Sequence, residues 1–476
     1  MKRPLLVAGL CLVVVGLGAI GVRHESKAEL QRALASFRAN LPPDARFEYD
    51  RAYPRFFARG AGFDNARFIR GDVTLTARLL TVNNPSGYLT TGLSFSKIHA
   101  ESITLAGPVS GKIGELTLNK LLLPPVTREK HNFSELPPLS QIHFHHGQIR
   151  GLALGTPDHC SATLAGAALE NFGHDDGNAA TMHEAHFACA SDSLPAQKLH
   201  DLFKLPAAQL GFDLEDLHES GVRYARIVAW AEDLSRQSDP GKVMPLGPHG
   251  DFSEIPSRSE GKNVGFTLIG VHFKTEALSS RQWKEGDKRL GEATLDHTVI
   301  TFSSPYPLAP FLPDGIHIDK ITHHGTIDTR TDLAAITVKG ETPRSFGFEW
   351  SMNLQNTVAP DQKHEPSLLS LSMNYRDDAS NIDDLLSRFA AMRNQPLAQF
   401  KSTLALPLAL LTQKAPGLDA VPAFMLAPSG HSVTISFQPP EPLSATSLKD
   451  LAPRFSADPA MAQRWLAPPI LSSSMK

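Results

Sequence analysis

The chain has 476 residues, which is too long for one ordinary hydrophobic core and predicts two or three domains. Its 46 Lys and Arg residues against 49 Asp and Glu residues give a net charge of -3. A nucleic-acid surface would need a basic excess, so this balance argues against that class of partner. The 36 Pro and 34 Gly residues are spread along segment boundaries, as is typical of many short strands.

The first 22 residues have the pattern of a membrane anchor. Lys2 and Arg3 precede an almost unbroken apolar run over residues 5–22. About 18 helical residues just reach the length needed to cross a bilayer core of roughly 30 Å. By the positive-inside rule the cationic N-terminus stays in the cytoplasm, so we expect a single-pass protein with the rest of the chain exported.

Cleavage of this segment is the alternative to an anchor. A lipoprotein signal would need a small residue directly before Cys11, but Leu10 stands there. Ordinary cleavage after Gly21, with Ala19 at the minus-three position, remains open. The bulk of the chain reaches the same compartment in both cases.

Cys160 and Cys189 are the only cysteines outside the predicted anchor. A turn cluster over residues 173–177 lies near the midpoint between them, so a hairpin there would place the two side by side. Exported thiols meet an oxidising compartment, and we predict a disulfide that stabilises the fold by about 3 to 4 kcal/mol. The alternative is two unpaired buried thiols.

A stalk helix is predicted after the anchor, with apolar residues at three-to-four spacing over residues 28–40 and an end at Pro42. From Phe47 onward the period becomes alternating, which indicates half-buried strands. Short strands without intervening helices predict an antiparallel meander. A short helix is expected over residues 197–203, whereas residues 222–230 favour a strand.

The predicted domains are an anchor (1–22), a stalk helix (23–43), a first β-rich domain (44–234), a linker (235–262) and a second β-rich domain with C-terminal helices (263–476). The linker is rich in Pro, Ser, Gly and charge and has no period. Late in the second domain, Asn381 is expected to cap a helix, and a second helical segment covers residues 397–413. We expect the last strand at residues 432–437, followed by two short helices over 447–451 and 459–466.

The 20 His residues raise the question of a metal site. His143 and His145 would share one strand face, but no Cys or carboxylate is adjacent, and exposed histidines are the simpler interpretation. His183 and His186 flank Glu184 and, on a regular strand, would point to opposite faces. We therefore predict no metal and no cofactor.

No nucleophile elbow, phosphate-binding loop or zinc-protease motif occurs in the sequence. The acid pairs Asp383-Asp384 and Asp175-Asp176 are explained by a helix start and a turn. We therefore predict that the protein is not an enzyme. A hydrolase stays open as a third alternative because triads assemble from distant residues.

The alternating strands leave one apolar sheet face to be covered. Helices, a second sheet or a ligand such as an acyl chain could cover it. The first two covers are structural, and the third would be a function.

The chain resembles the AsmA-like and YdgA-like groups of bacterial envelope proteins. The resemblance is carried by the N-terminal anchor, by Phe47-Glu48-Tyr49-Asp50 leading through residues 60–68 into strands, and by residues 433–443 followed by short helices. It implies a bacterial inner-membrane protein with its bulk in the periplasm and a role in envelope or lipid homeostasis, with phospholipid or an envelope protein as partner. The expected fold class is α+β and mostly antiparallel β: an N-terminal transmembrane helix, then two β-rich meander units with helices packed on or after the sheets. A scaffolding protein without a ligand is the alternative function.

Overall fold

The computed structural model describes residues 27–39, 44–88, 92–125, 138–174, 177–197, 209–229, 256–268, 270–303, 306, 309–357 and 366–476. The predicted anchor over residues 1–22 lies outside these ranges. Within them, no helix combines the length and the apolar character needed to cross a membrane. The chain divides into a first unit, Met1–Ile269, and a second unit, Gly270–Lys476.

The first unit begins with helix α1 (Lys27–Ala39), which corresponds to the predicted stalk helix, and continues as strands. The strands are β1 (Ala45–Glu48), β2 (Arg51–Arg55), β3 (Gly60–Arg70), β4 (Val73–Asn83), β5 (Ser86–Tyr88), β6 (Gly92–Ala106), β7 (Ser110–Leu123), β8 (Phe144–Gly155), β9 (Cys160–Phe172), β10 (Asn178–Cys189), β11 (Leu210–Val222) and β12 (Ser257–Leu268).

These strands form the predicted antiparallel meander. From β6 to β12 each strand pairs with the next one along the chain. On the other side of β6, β4 pairs with both β6 and β3. The short β5 pairs with β6 along the same edge as β4. Strands β1 and β2 pair with the edge of β3 that β4 leaves free. The mostly antiparallel β fold expected from the alternating sequence is therefore confirmed in this unit.

One face of this sheet carries the core, and we call it the inner face. Its buried residues include Phe63, Phe68 and Phe95, each no more than 2% exposed. Leu30 and Leu34 of α1 belong to the same buried cluster, so the apolar side of the helix packs against the sheet. The opposite side of the sheet is called the outer face.

A row of left-handed residues crosses the sheet at one height. One such residue, with φ between 48° and 63°, occurs on every second strand of the sheet. The pairing register between neighbouring strands is the same before and after each left-handed residue. The inward alternation shifts by one residue at this row: in β3, Phe63 and then Ala66 face the core. We call this set the left-handed row; its members are Asn65, Ser102, Gly151, Glu184 and Asn263.

Two corrections concern the end of the first unit. Residues 224–229 are helical rather than strand, because Tyr224, Ala225 and Val228 pack on the core at helical spacing and Tyr224 N donates to Asn178 Oδ1 at 2.9 Å. Residues 257–262 of the predicted linker belong to β12, where they pair with β11. Only residues 194–197 of the region around the predicted 197–203 helix are described, and they are helical.

The second unit is again a meander followed by helices. The strands are β13 (Val271–Glu285), β14 (Lys288–Phe302), β15 (Ile316–Asp328), β16 (Leu333–Thr342), β17 (Phe346–Gln355), β18 (Ser367–Asp377), β19 (His431–Phe437), β20 (Leu443–Ser444) and β21 (Leu471–Met475). The helices are α2 (Asn381–Met392), α3 (Leu397–Lys414), α4 (Ala420–Leu426), α5 (Ala445–Ala457) and α6 (Pro459–Trp465).

Strands β13 to β19 pair antiparallel in chain order, and helices α2 to α4 lie in the connection between β18 and β19. The expectation that residues 432–437 form the last strand is wrong. Leu471–Met475 forms β21 and completes the hydrogen bonds along β19, although its sequence has no apolar alternation. The two short C-terminal helices are confirmed as α5 and α6.

The cap of α2 differs from the predicted one. Asn381 is the first helical residue, and the buried Asp377 accepts the backbone N–H groups of Asn381 and Ile382, both at 2.8 Å. A carboxylate at this position satisfies donors that otherwise lack a partner and complements the helix dipole. Asp383 and Asp384 lie in the first turn, as expected.

The predicted disulfide between Cys160 and Cys189 is present. The two residues lie directly opposite one another on β9 and β10, with Cα atoms 4.0 Å apart. It therefore links two neighbouring strands whose connection is the hairpin predicted from the sequence.

Candidate functional site

A continuous line of directly opposed residues crosses the inner face of the first unit. Side chains of directly opposed residues in antiparallel strands share a face. The line begins at buried residues, with Phe68 2%, Leu75 5% and Leu105 6% exposed. From there the register continues through Gly111, Leu154, Ala162, Phe187, Phe212 and Phe266.

The far end of this line is open to solvent. Phe187 is 40% exposed, Phe212 is 37% exposed and Phe266 is 43% exposed. These three residues, which we call the phenylalanine row, lie on three adjacent strands, β10 to β12. The inner face is thus closed over β3 to β6 and exposes large aromatic surface over β10 to β12.

A second line of residues, two positions along each strand, shows the same face. It runs through Ile103, Ile113, Leu152, Leu164, Ala185 and Leu214. Its first two members are buried, the middle members are half-buried, and Leu214 is again only 4% exposed. The half-buried Ala185 and the buried Leu214 therefore lie beside the phenylalanine row on the same face.

The described residues enclose a small apolar cavity at the closed end of the inner face. A cavity of about 20 Å³ lies there, lined only by apolar residues that include Phe47, Leu75, Ile98 and Leu116. Such a volume would admit one water molecule, but an apolar lining offers it no hydrogen bonds. A cavity of this size is too small for an acyl chain.

The outer face behind the phenylalanine row is polar. His186 pairs with Asp213, and His183 pairs with Asp216, across β10 and β11. The prediction that His183 and His186 point to opposite faces is wrong, because the left-handed Glu184 between them shifts the alternation. The consecutive residues Phe212 and Asp213 therefore lie on opposite faces, Phe212 in the exposed apolar row and Asp213 in an ion pair.

One titratable group lies on the inner face, where Glu219 is directly opposite Ala180. Its carboxylate accepts hydrogen bonds from the Tyr224 hydroxyl and from Ser259 Oγ, the latter at 3.1 Å. Burial raises the pKa of Glu219, and the Ser259 hydrogen bond partly opposes that rise. Glu219 and Ser259, which lie directly opposite one another, therefore form a polar point on the inner face.

The outer face holds the polar group that most resembles a catalytic arrangement. His99 Nδ1 lies 3.0 Å from Thr117 Oγ1, and His99 Nε2 lies 3.1 Å from Glu101 Oε1. A nucleophile, base and orienting acid need this order of contacts. However, Thr117 is only 8% exposed, so its hydroxyl is not presented to a substrate.

Ion pairing explains the same group structurally. Glu101 and Glu115 lie directly opposite one another, where two like charges repel. Arg78 pairs with Glu101, and Arg150 Nη1 lies 3.2 Å from Glu115 Oε2. His99 lies between the two carboxylates, so the group balances charge at the left-handed row.

Three histidines meet near the turn after β9. The ring of His174 lies 5.7 Å from that of His143 and 5.6 Å from that of His145, measured between centroids. The sequence pointed to His143 and His145 but not to His174. Over the described ranges, no set of three His, Cys, Asp or Glu residues is arranged to hold a metal ion.

The two acid pairs named from the sequence fall in different places. Asp383 Oδ1 forms an ion pair with Lys401 Nζ at 2.5 Å, which ties α2 to α3. Asp175 and Asp176 lie outside the described residues. The pairs therefore do not come together in a described site.

The second unit also exposes apolar side chains from a strand face. Trp350 is 45% exposed and lies directly opposite Met373, which is 39% exposed. Val338 continues the row on β16 and is half-buried. Exposure of paired large apolar residues therefore occurs on strands of both units.

The phenylalanine row was missed in the sequence, although a signal for it existed. Phe187 stands two residues before Cys189, so the predicted disulfide already placed it on the same face as Ala162. The alternation of apolar residues gives the face on which Phe187 lies but not its exposure, because exposure depends on which elements cover that face. Compared with known proteins, the chain matches no family model and no curated protein.

Proposed function

We propose that this protein is a non-enzymatic, membrane-anchored periplasmic protein that holds a phospholipid acyl chain against the open end of its inner face. The observation that carries the proposal is the phenylalanine row, where Phe187, Phe212 and Phe266 are each more than a third exposed. Large contiguous apolar patches on soluble domains mark binding surfaces.

The energetics favour an apolar chain as the occupant. Covering a large apolar side chain contributes about 1.5 to 3 kcal/mol, and each buried methylene adds about 0.8 kcal/mol. Neighbouring strands lie about 4.8 Å apart, so the three rings span roughly 10 Å across the sheet. An acyl chain lying across the strands would contact all three rings.

The proposed position in the cell rests on the apolar N-terminal segment and is supported by the disulfide. Cys160 and Cys189 are bonded, and disulfides persist in oxidising compartments such as the periplasm. The apolar run over residues 5–22 would keep the protein at the inner membrane, which is a source of phospholipid. The resemblance to AsmA-like and YdgA-like envelope proteins agrees with this assignment.

A scaffolding function is the alternative, in which an envelope protein covers the phenylalanine row. A phospholipid and an envelope protein would bury the same three rings, so the two functions are distinguished by identifying which of them is bound. The hydrolase alternative is weakened by the buried hydroxyl of Thr117 in the His99 group.

The proposal is tested by extracting lipid from protein purified without added lipid and measuring it by mass spectrometry. The native chain is compared with the double variant Phe187→Ser/Phe212→Ser. A matched control, His186→Ser/Asp213→Ser, alters the outer face of the same two strands. The proposal expects bound phospholipid in the native and control proteins and a loss in the phenylalanine variant. Equal lipid in all three proteins, or none in the native protein, would refute it.

A further inference from the structure

The turn between β2 and β3 exposes two aromatic rings at one tip of the first unit. Phe56 is 62% exposed and Phe57 is fully exposed. Both lie in a short 3-10 helix, Phe56–Ala58. Two adjacent aromatic rings that are mostly exposed to water are unfavourable, so this turn is a candidate contact surface.

The exposure is built into the turn. Arg59 closes it in the left-handed conformation, with φ of 45°. The backbone N–H of Asn84 donates to Ala58 O at 3.1 Å, and Arg55 Nη1 donates to Asn83 Oδ1 at 3.0 Å. The end of β4 therefore supports the turn from one side and holds the two rings outward.

The charge around the rings has one sign. The charged residues of the turn and its two ends, residues 55–60, are Arg55 and Arg59. Aromatic rings flanked by cationic side chains match the interface of a bilayer with anionic head groups, where rings enter the acyl boundary and cations meet phosphates. A protein pocket for the same rings would not require this charge.

Helix α1 fixes which end of the sheet the N-terminal segment reaches. In its last turn, Arg38 Nε donates to Phe47 O at 3.2 Å, and the Arg38 guanidinium lies 4.7 Å from the Tyr49 ring centre. The helix also contacts β2, the strand that leads to the turn. Since its last turn is beside β1, its earlier turns lie beside β2.

The chain after α1 gives the same direction. Asp44 O accepts the backbone N–H of Gly71 at 3.3 Å, so Asp44, the first described residue after the helix, lies at the β3–β4 turn, at the far end of the sheet. Helix α1 therefore starts at the end that carries Phe56 and Phe57. The apolar run over residues 5–22 ends shortly before the helix begins at Lys27.

We infer that the β2–β3 turn, through Phe56 and Phe57 with Arg55 and Arg59, inserts into the surface of an anionic phospholipid bilayer beside the membrane anchor. This inference rests on the membrane anchoring in the proposed function but not on lipid binding by the phenylalanine row. The turn gives the first unit a second attachment to the bilayer, which fixes its orientation on the anchor.

The test places an environment-sensitive fluorophore at the turn. In the full-length chain, Cys11→Ser leaves only the two disulfide-bonded cysteines, so one new cysteine can be labelled. Phe57→Cys probes the turn, and Ser110→Cys, at the opposite end of the same sheet, is the control. Both proteins are reconstituted into vesicles of phosphatidylcholine and phosphatidylglycerol in equal parts, with a spin-labelled phospholipid as quencher.

The expected result is blue-shifted, lipid-quenched emission from position 57 and unshifted, unquenched emission from position 110. Arg55→Gln/Arg59→Gln should reduce the quenching at position 57 in these vesicles and leave it unchanged in pure phosphatidylcholine. Equal behaviour of positions 57 and 110 would overturn the inference, as would failure of the protein to enter vesicles. A lipid-loaded phenylalanine row with an unquenched position 57 would remove this inference alone and leave the proposed function standing.

Discussion

Phe212 lies directly opposite Phe187 on the neighbouring strand, and the two rings remain 37% and 40% exposed on a face that is fully buried a few strands away. The next residue, Asp213, lies opposite His186 and pairs with it on the other face. The strands thus keep the strict two-sided pattern of a sheet with one covered face. Along the sheet, the difference is that the inner face is buried over β3 to β6 and exposed over β10 to β12.

The disulfide gives the first prediction. Replacing Cys160 and Cys189 together by Ala should lower the free energy of unfolding by about 3 to 4 kcal/mol, because the bond closes a loop with a sequence separation of 29. Thermal unfolding of the detergent-solubilised chain, followed by circular dichroism, measures the change. Cys11→Ser is the control and should leave the melting temperature unchanged. Equal melting temperatures for all three proteins would contradict the prediction.

Glu219 gives a prediction about pH. Burial raises its pKa in the folded state above the ordinary value of 4.5, so the folded protein holds the proton more tightly than the unfolded chain. The stability linked to this proton is fully present below pH 4.5 and is lost as the pH rises through the raised pKa. Glu219→Gln never ionises. Its amide oxygen accepts from one of the two hydroxyls of Tyr224 and Ser259, and its NH2 group donates to the other hydroxyl oxygen, much as a protonated carboxyl would.

The Glu219→Gln protein should therefore melt at a higher temperature than the native protein at pH 7 and at a similar temperature near pH 4. Melting temperatures across this range measure the effect. Glu215→Gln, on the outer face of the same strand, is the control and should show no such gain. A gain that stays constant over the whole range would contradict the assignment to Glu219 ionisation.

The helix cap at Asp377 gives a prediction in the second unit. Asp377→Ala should destabilise this unit by about 2 to 3 kcal/mol, because it leaves the buried N–H groups of Asn381 and Ile382 without their acceptor. Asp378→Ala removes an exposed ion pair with Arg376 and should cost less than about 1 kcal/mol. Chemical denaturation of both variants compares the two costs, and equal losses would refute the capping role of Asp377.

The alternation of the sequence was enough to predict the antiparallel meander, since apolar residues recur at every second position on either side of the left-handed row. The turn cluster between Cys160 and Cys189 was enough to predict their bond. The left-handed Glu184 was not predictable, because Glu rarely takes this conformation and nothing nearby requires it. It places His183 and His186 on the same face, where opposite faces were expected.

The candidate site was less predictable than the fold. Helix propensity said little about residues 222–230, where Tyr224 and Val228 gain their helical spacing from the core they pack on. The exposure of Phe187 and Phe212 depends on which elements lie over the inner face, and local sequence holds no record of that. Asp377 was missed as a cap because it stands four residues before Asn381, beyond the usual capping position.

The central claim is most directly tested by photo-crosslinking in living cells. A benzophenone amino acid in place of Phe212 probes the inner face, and the same group in place of Asp213 probes the outer face one residue away. After irradiation, intact-protein mass spectrometry identifies what is attached. Lipid binding predicts a phospholipid adduct at position 212 and none at position 213. A protein adduct alone at position 212, or equal lipid attachment at both positions, would contradict it.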